Sequence, residues 1–184
     1  MKTLLALCMI VITPLMIAHA QDQAASRLYE FTMQDIDGQD VSLGTHAGKV
    51  VLLVNTASKC GYTPQYASLE ELSRRYADRG LRVLAFPANN FGAQEPGSNE
   101  QIKEFCATTY DVTFPLFAKI SVKGDDIHPL YAWLTTESPF PGDIRWNFTK
   151  FLIDRNGAVV ARFETKTDPL DETVLQRIEE LLSE

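Results

Sequence analysis

Val50-Val51-Leu52-Leu53-Val54 is an unbroken run of β-branched and leucine side chains. A run without polar alternation suits a strand covered on both faces, as in the sheet of an α/β protein. Just downstream, Thr63-Pro64 offers an N-cap followed by a first helical residue. Tyr66, Leu69, Leu72 and Tyr76 then recur at helical spacing, and Gly80 stops the helix. Leu81 to Phe86 supplies a second buried strand. Strand, helix and strand in this order predict a parallel pair joined by a crossover.

Working outward from that unit, short runs at Phe31-Thr32-Met33 and Val41-Ser42-Leu43 flank Asp35-Ile36-Asp37-Gly38, which predicts an N-terminal β-hairpin. Ser98-Asn99-Glu100-Gln101 has the form of a capping box, and Ile102, Phe105, Cys106 and Thr109 follow on one helical face. His128-Pro129 opens a further short helix through Leu134. Phe148 to Ile153, the turn Asp154-Arg155-Asn156-Gly157 and Ala158 to Phe163 predict a second hairpin. Asp168-Pro169 opens the last helix, with Leu170, Val174, Ile178 and Leu181 facing inward. No internal repeat, low-complexity tract or linker interrupts the chain. An early crossover and a late hairpin make a central mixed sheet with helices on both faces. The predicted class is α/β with a thioredoxin-like fold and an N-terminal β-hairpin.

The 184 residues suffice for a single domain with its own core. A 45% hydrophobic and 22% charged composition excludes a disordered or fibrous chain. The formal net charge of -7 disfavours binding to nucleic acid, whose partners carry the opposite sign. Residues 1–20 have the three-part plan of a secretory signal peptide: Met1-Lys2, an apolar stretch from Leu4 to Ile17, and Ala18-His19-Ala20. The apolar stretch is short for a membrane span, so cleavage after Ala20 is expected, with no stable membrane insertion and residues 21–184 forming one exported domain, periplasmic or secreted. Cys8 and His19 leave with that segment. Cys60, Cys106, His46 and His128 remain, too few for a histidine-rich or four-cysteine metal site. Two cysteines in an oxidising compartment are candidates for one disulfide, structural or catalytic.

Cys60 carries the clearest chemical signal. It lies between the buried strand and the helix that begins near Pro64. A sulfur there faces the positive end of a helix dipole and free backbone N–H groups, which favour the nucleophilic thiolate. The ammonium of Lys59 would act in the same direction if it reached the sulfur. The string Cys60-Gly61-Tyr62-Thr63 has threonine where a dithiol oxidoreductase carries its second cysteine. Cys106 is the remaining partner. By itself it reads as a core residue; with Cys60 it could form a peroxidatic and resolving pair, in which a sulfenic acid condenses with a thiol.

Three stretches, in order, resemble the motifs of the glutathione peroxidase family. Asn55-Thr56-Ala57-Ser58-Lys59-Cys60-Gly61-Tyr62-Thr63 is similar to its peroxidatic-cysteine motif. Leu84 to Gly97, containing Phe86-Pro87-Ala88-Asn89-Asn90-Phe91-Gly92-Ala93-Gln94-Glu95-Pro96, is similar to the second. Trp146-Asn147-Phe148-Thr149-Lys150-Phe151-Leu152 is similar to the third. The likeness runs from about Tyr29 to the C-terminus. It implies a catalytic tetrad of Cys60, Gln94, Trp146 and Asn147. The amides of Gln94 and Asn147 and the indole N–H of Trp146 would donate hydrogen bonds to the sulfur anion or the peroxide. Taken alone, these three would be a loop polar residue, a core aromatic and a turn residue.

The resemblance also implies an activity: reduction of hydrogen peroxide or organic hydroperoxides, with no metal, haem, flavin or nucleotide cofactor. Many animal members carry selenocysteine where this chain has Cys60, so slower turnover is expected here. Ala88 and Asn90 depart from the family's usual Cys and Gln. In two-cysteine members the resolving cysteine matches Cys106, and such members prefer thioredoxin-like reductants to glutathione. The short segment between Leu134 and Trp146 resembles the monomeric type. Two other classes compete with this reading. A thioredoxin-fold disulfide oxidoreductase is disfavoured by Thr63. An exported metallochaperone would want closely spaced cysteines with a histidine, and His128 is the one candidate, though Asp125-Asp126-Ile127-His128-Pro129 reads more simply as a helix start.

Overall fold

The structure is a computed structural model that describes residues 27–184. The expected signal segment, residues 1–20, lies outside the described residues. A short 3-10 turn, Arg27–Glu30, leads into a hairpin of β1 (Thr32–Gln34) and β2 (Asp40–Ser42). Asp35 shapes its turn, its Oδ1 accepting the N–H groups of Asp37 and Gln39. After a second 3-10 turn come β3 (Val50–Thr56), α1 (Gln65–Tyr76), β4 (Leu81–Pro87) and α2 (Asn99–Tyr110). The chain ends with α3 (Pro129–Thr136), β5 (Lys150–Ile153), β6 (Val159–Phe163) and α4 (Glu172–Ser183).

The main sheet has the order β4-β3-β5-β6. β3 pairs parallel with β4, from Val50 opposite Leu81 to Thr56 opposite Pro87. β5 pairs antiparallel with both β3 and β6. This is the expected mixed sheet, with the crossover supplying the parallel pair and the late hairpin the antiparallel part.

The continuous apolar run of β3 divides between two cores because successive side chains point to opposite faces. Val50, Leu52 and Val54 pack with Tyr66, Leu69 and Leu72 of α1, Ile102 and Cys106 of α2, and Val174 and Ile178 of α4. Val51 and Leu53 pack with Leu130, Tyr131 and Leu134 of α3, together with Leu28 and Met33. Every residue of β3 is buried, so the strand is a rigid support for the loop that follows it.

Three boundaries differ from expectation. Pro64, not Thr63, occupies the N-cap of α1, and it makes no side-chain capping bond; Thr63 is drawn into the loop before it. α1 ends at Tyr76, and Gly80, at φ 106°, sits in the turn into β4. Asp168-Pro169 precedes α4 instead of opening it: Asp171 takes the N-cap, and its Oδ2 accepts the N–H of Asp168 to close the turn.

Candidate active site at the end of β3

Cys60 lies in the tight loop between β3 and α1, almost wholly buried and with a free thiol. Thr63 folds this loop back on itself. Its Oγ1 accepts the Cys60 N–H at 2.9 Å and donates to the carbonyl of Ala57 at 2.9 Å. The Tyr62 N–H then points at the Cys60 sulfur, 3.4 Å away. This backbone donor fixes the position of the sulfur within the loop. The residue that replaces a second cysteine is therefore a clamp on the first.

A second loop closes over this one. Gly92 and Ala93 both take positive φ, 62° and 51°, a conformation that costs the alanine of order 1 kcal/mol or more. The tight turn brings Gln94 back toward Cys60: its carbonyl accepts the N–H of Lys59 at 3.0 Å. Asn89 braces the loop from within, its Oδ1 accepting the N–H of Glu95.

The third segment is held by Asn55. Its Nδ2 donates to the carbonyl of Trp146 at 3.2 Å, and its Oδ1 accepts the N–H of Thr149 at 3.1 Å. Its carbonyl accepts the N–H of Phe148 at 2.6 Å. These bonds hold Phe148 at φ 63° and turn Asn147 inward, fully buried. Trp146 stays 38% exposed, the one large hydrophobic side chain so exposed among the described residues. Its ring lies against Phe91, with centroids 5.7 Å apart.

The four expected tetrad residues thus come from three loops at one end of the sheet. Asn147 Nδ2 donates to Gln94 Oε1 at 3.0 Å, which leaves the Gln94 amide hydrogens free of that bond. In this structure Gln94, Trp146 and Asn147 make no hydrogen bond to the sulfur; the donor to Cys60 is the Tyr62 backbone. The side-chain amides of Gln94 and Asn147 are engaged with each other instead.

Cys106 lies in the core on the inward face of α2, wholly buried and also free. Burial pushes its thiol up to about 11; the nearby Glu95 charge adds to this and the Tyr66 hydroxyl opposes it. The expected capping box starts α2, formed by Ser98 and Gln101. Only Ile102 and Cys106 of its twelve residues are buried. A groove of about 430 Å³ separates the Cys60 loop from this helix, lined by Ser58, Lys59, Glu95, Gln101, Ile102 and Phe105 among others.

Sequence reasoning missed Asn55, Glu95 and the second role of Thr63. For Asn55 a signal existed: a polar residue directly continuing an apolar strand run. His128 behaves as a helix start, its Nδ1 accepting the N–H of Leu130. Among the described residues no group of three or more His, Cys, Asp or Glu side chains converges in the manner of metal ligands.

With this geometry in view, the comparisons with known proteins are decisive. The sequence model of glutathione peroxidase matches residues 28–135. This chain belongs to the glutathione peroxidase family. As a glutathione peroxidase family member it is a thiol-dependent peroxidase. It is 50% identical over 168 residues to a hydroperoxy fatty acid reductase of Synechocystis, covering 87% of this chain and 98% of that protein. It is 45% identical over 168 residues to a thioredoxin/glutathione peroxidase of Escherichia coli, covering 79% and 92%. Among solved structures, the apo crystal structure of Trgpx superposes with a TM-score of 0.70 at 39% identity, covering 85% of this chain and 95% of that one. A thioredoxin-family thiol:disulfide interchange protein from Chlorobium tepidum superposes with a TM-score of 0.61 at 17% identity, covering 83% and 92%. That last likeness concerns the fold alone, and it is the thioredoxin-like fold expected for this glutathione peroxidase.

Proposed function

We propose that the protein reduces hydrogen peroxide and organic hydroperoxides through Cys60 and is regenerated through a Cys60–Cys106 disulfide. The observation that carries this reading is the Tyr62 N–H directed at the Cys60 sulfur, in a loop closed by Thr63 and set beside the Gln94–Asn147 pair. Cys60 sulfur attacks one peroxide oxygen. An S–O bond forms as the O–O bond breaks, leaving a sulfenic acid on Cys60. The departing oxygen takes a proton and leaves as water or alcohol. Free amide hydrogens of Gln94, and the partly exposed indole of Trp146, are suited to stabilise the charge on that oxygen. Asn147 orients Gln94.

Cys106 is protonated at neutral pH, with its thiol near 11, so it is not the first nucleophile. It acts second, displacing water from the Cys60 sulfenic acid to give the disulfide. A thioredoxin-like protein or glutathione then reduces the bridge. The similarity to a hydroperoxy fatty acid reductase of Synechocystis and a thioredoxin/glutathione peroxidase of Escherichia coli favours these substrates and reductants. The protein acts as a monomer after export and cleavage following Ala20, in the periplasm or outside the cell. No described helix is long and apolar enough to cross a membrane.

Peroxide turnover with thioredoxin or glutathione as the sole electron source tests this reading. Faster turnover with thioredoxin, abolished by Cys106→Ser, supports the two-cysteine cycle. Equal turnover without Cys106 makes the enzyme a one-cysteine peroxidase.

A further inference from the structure

Glu95 stands out among the groups that the peroxide-reducing step leaves unused. Its carboxylate is completely buried. Oε2 accepts a 3.1 Å hydrogen bond from Ser58 Oγ, two residues before Cys60, while Oε1 is buried with no partner among the described residues. A buried carboxylate oxygen left unpaired carries a substantial desolvation cost, so its retention calls for a reason. The backbone around it is fixed: its N–H donates to Asn89 Oδ1, and its carbonyl accepts from Lys119 Nζ. Glu95 also lines the groove between the Cys60 loop and the face of α2 that bears Ile102 and Phe105.

We propose that Glu95 is the proton carrier of the disulfide-forming step, taking the proton of the Cys106 thiol and delivering it to the hydroxyl that leaves Cys60. This inference rests on the two-cysteine reading above. Cys106 sulfur forms the S–S bond as the S–O bond of the sulfenic acid breaks. The thiol proton passes to the Glu95 carboxylate and then to the departing hydroxide, which leaves as water. Carboxylate is regenerated, and no further oxidant or reductant is consumed.

The electrostatic setting fits the role. Burial raises the Glu95 carboxyl above the usual carboxylate range, while Ser58, Lys119 and Lys59 act against that rise. A raised carboxyl is the better base for a thiol held near 11. The charged and titratable groups whose charge acts on it, or on which its charge acts, are Lys59 from the Cys60 loop, Lys119 from the segment after α2, Cys106 on α2 and Tyr66 on α1.

The test oxidises reduced protein with one equivalent of hydrogen peroxide and no reductant. Sulfenic acid on Cys60 is trapped with dimedone, and the Cys60–Cys106 bridge is followed by mass spectrometry. Glu95→Gln keeps an acceptor for Ser58 but removes the base. It is expected to form sulfenic acid at the wild-type rate and the disulfide about 100-fold more slowly. The acid limb of the pH profile for disulfide formation, present in the wild type, is expected to vanish in this variant. Disulfide formation at the wild-type rate, or an unchanged acid limb, overturns the proposal. Equal slowing of both steps also overturns it, because Glu95 is then a strut for the loop. If the wild type itself forms no bridge, the two-cysteine reading fails first and the proposal falls with it.

Discussion

The side-chain amide of Asn147 donates a 3.0 Å hydrogen bond to the side-chain carbonyl of Gln94, joining two loops that are 53 residues apart in sequence. This bond fixes which end of the Gln94 amide is spoken for. The oxygen is occupied, so the nitrogen is the end available to a peroxide or to developing charge.

Gln94 and Asn147 are therefore expected to act as one unit. Gln94→Ala and Asn147→Ala should each raise the barrier to Cys60 oxidation by about 2.7–4 kcal/mol, the scale of losing one oxyanion donor. The double variant should lose clearly less than the sum, as measured by rapid-mixing kinetics of peroxide consumption. Strictly additive losses would mean that the two amides work separately.

Thr63 is expected to matter for both stability and rate. Thr63→Val keeps the shape and removes the two bonds to the Cys60 N–H and the Ala57 carbonyl. Unfolding by urea should show a loss of about 1–3 kcal/mol, the range for stranding buried polar groups. Peroxide consumption should fall as well, because the loop that aims the Tyr62 N–H at the sulfur is loosened. A variant with unchanged stability and rate would remove Thr63 from the account.

In the proposed two-cysteine cycle α2 is expected to open before Cys106 reaches Cys60, since the Cys106 thiol is free and enclosed in the core. With only Ile102 and Cys106 buried, the helix contributes little apolar burial to its own retention. Amide hydrogen exchange in α2 should be faster than in β3, where all seven residues are buried. Cys106→Ser should still be oxidised at Cys60 but stall with thioredoxin. Exchange in α2 as slow as in β3 would argue against local opening.

Lys150 gives a pH signature independent of catalysis. It is fully buried, its Nζ donates to the Thr167 carbonyl at 2.5 Å, and burial lowers it from 10.5 to about 8. Between about 8 and 10.5 the unfolded chain holds a proton that the folded chain has released. The unfolded state binds more protons there, so this residue makes stability rise with pH across that window. Lys150→Met lacks that slope. Its stability relative to wild type should therefore fall by up to about 3 kcal/mol between pH 8 and pH 10.5 in urea titrations. Parallel pH dependence of the two proteins would contradict the buried-lysine assignment.

The fold was legible where apolar pattern alone decides it. Val50 to Val54 had to be covered on both faces, and alternate residues do serve two separate cores. The capping box at Ser98 and the inward position of Cys106 followed from local chemistry that tertiary contacts did not override. Gln94, Trp146 and Asn147 were legible through family resemblance, not through any pattern of their own. Thr63 looked like a helix cap because its preference for capping is local, whereas its actual partners lie in the preceding loop. Asn55 and Glu95 were invisible as organisers because their roles depend on which distant loops they meet: Trp146 and Thr149 for one, Ser58 for the other. Burial of a polar side chain becomes meaningful only when its partners, or their lack, are seen.

Peroxide consumption by Cys60→Ser tests the central claim most directly, with circular dichroism confirming that the fold is kept. The account predicts that hydrogen peroxide is no longer consumed, because Cys106 is protonated and enclosed in the core and no other thiol lies among the described residues. Consumption at the wild-type rate by a correctly folded Cys60→Ser protein would contradict it.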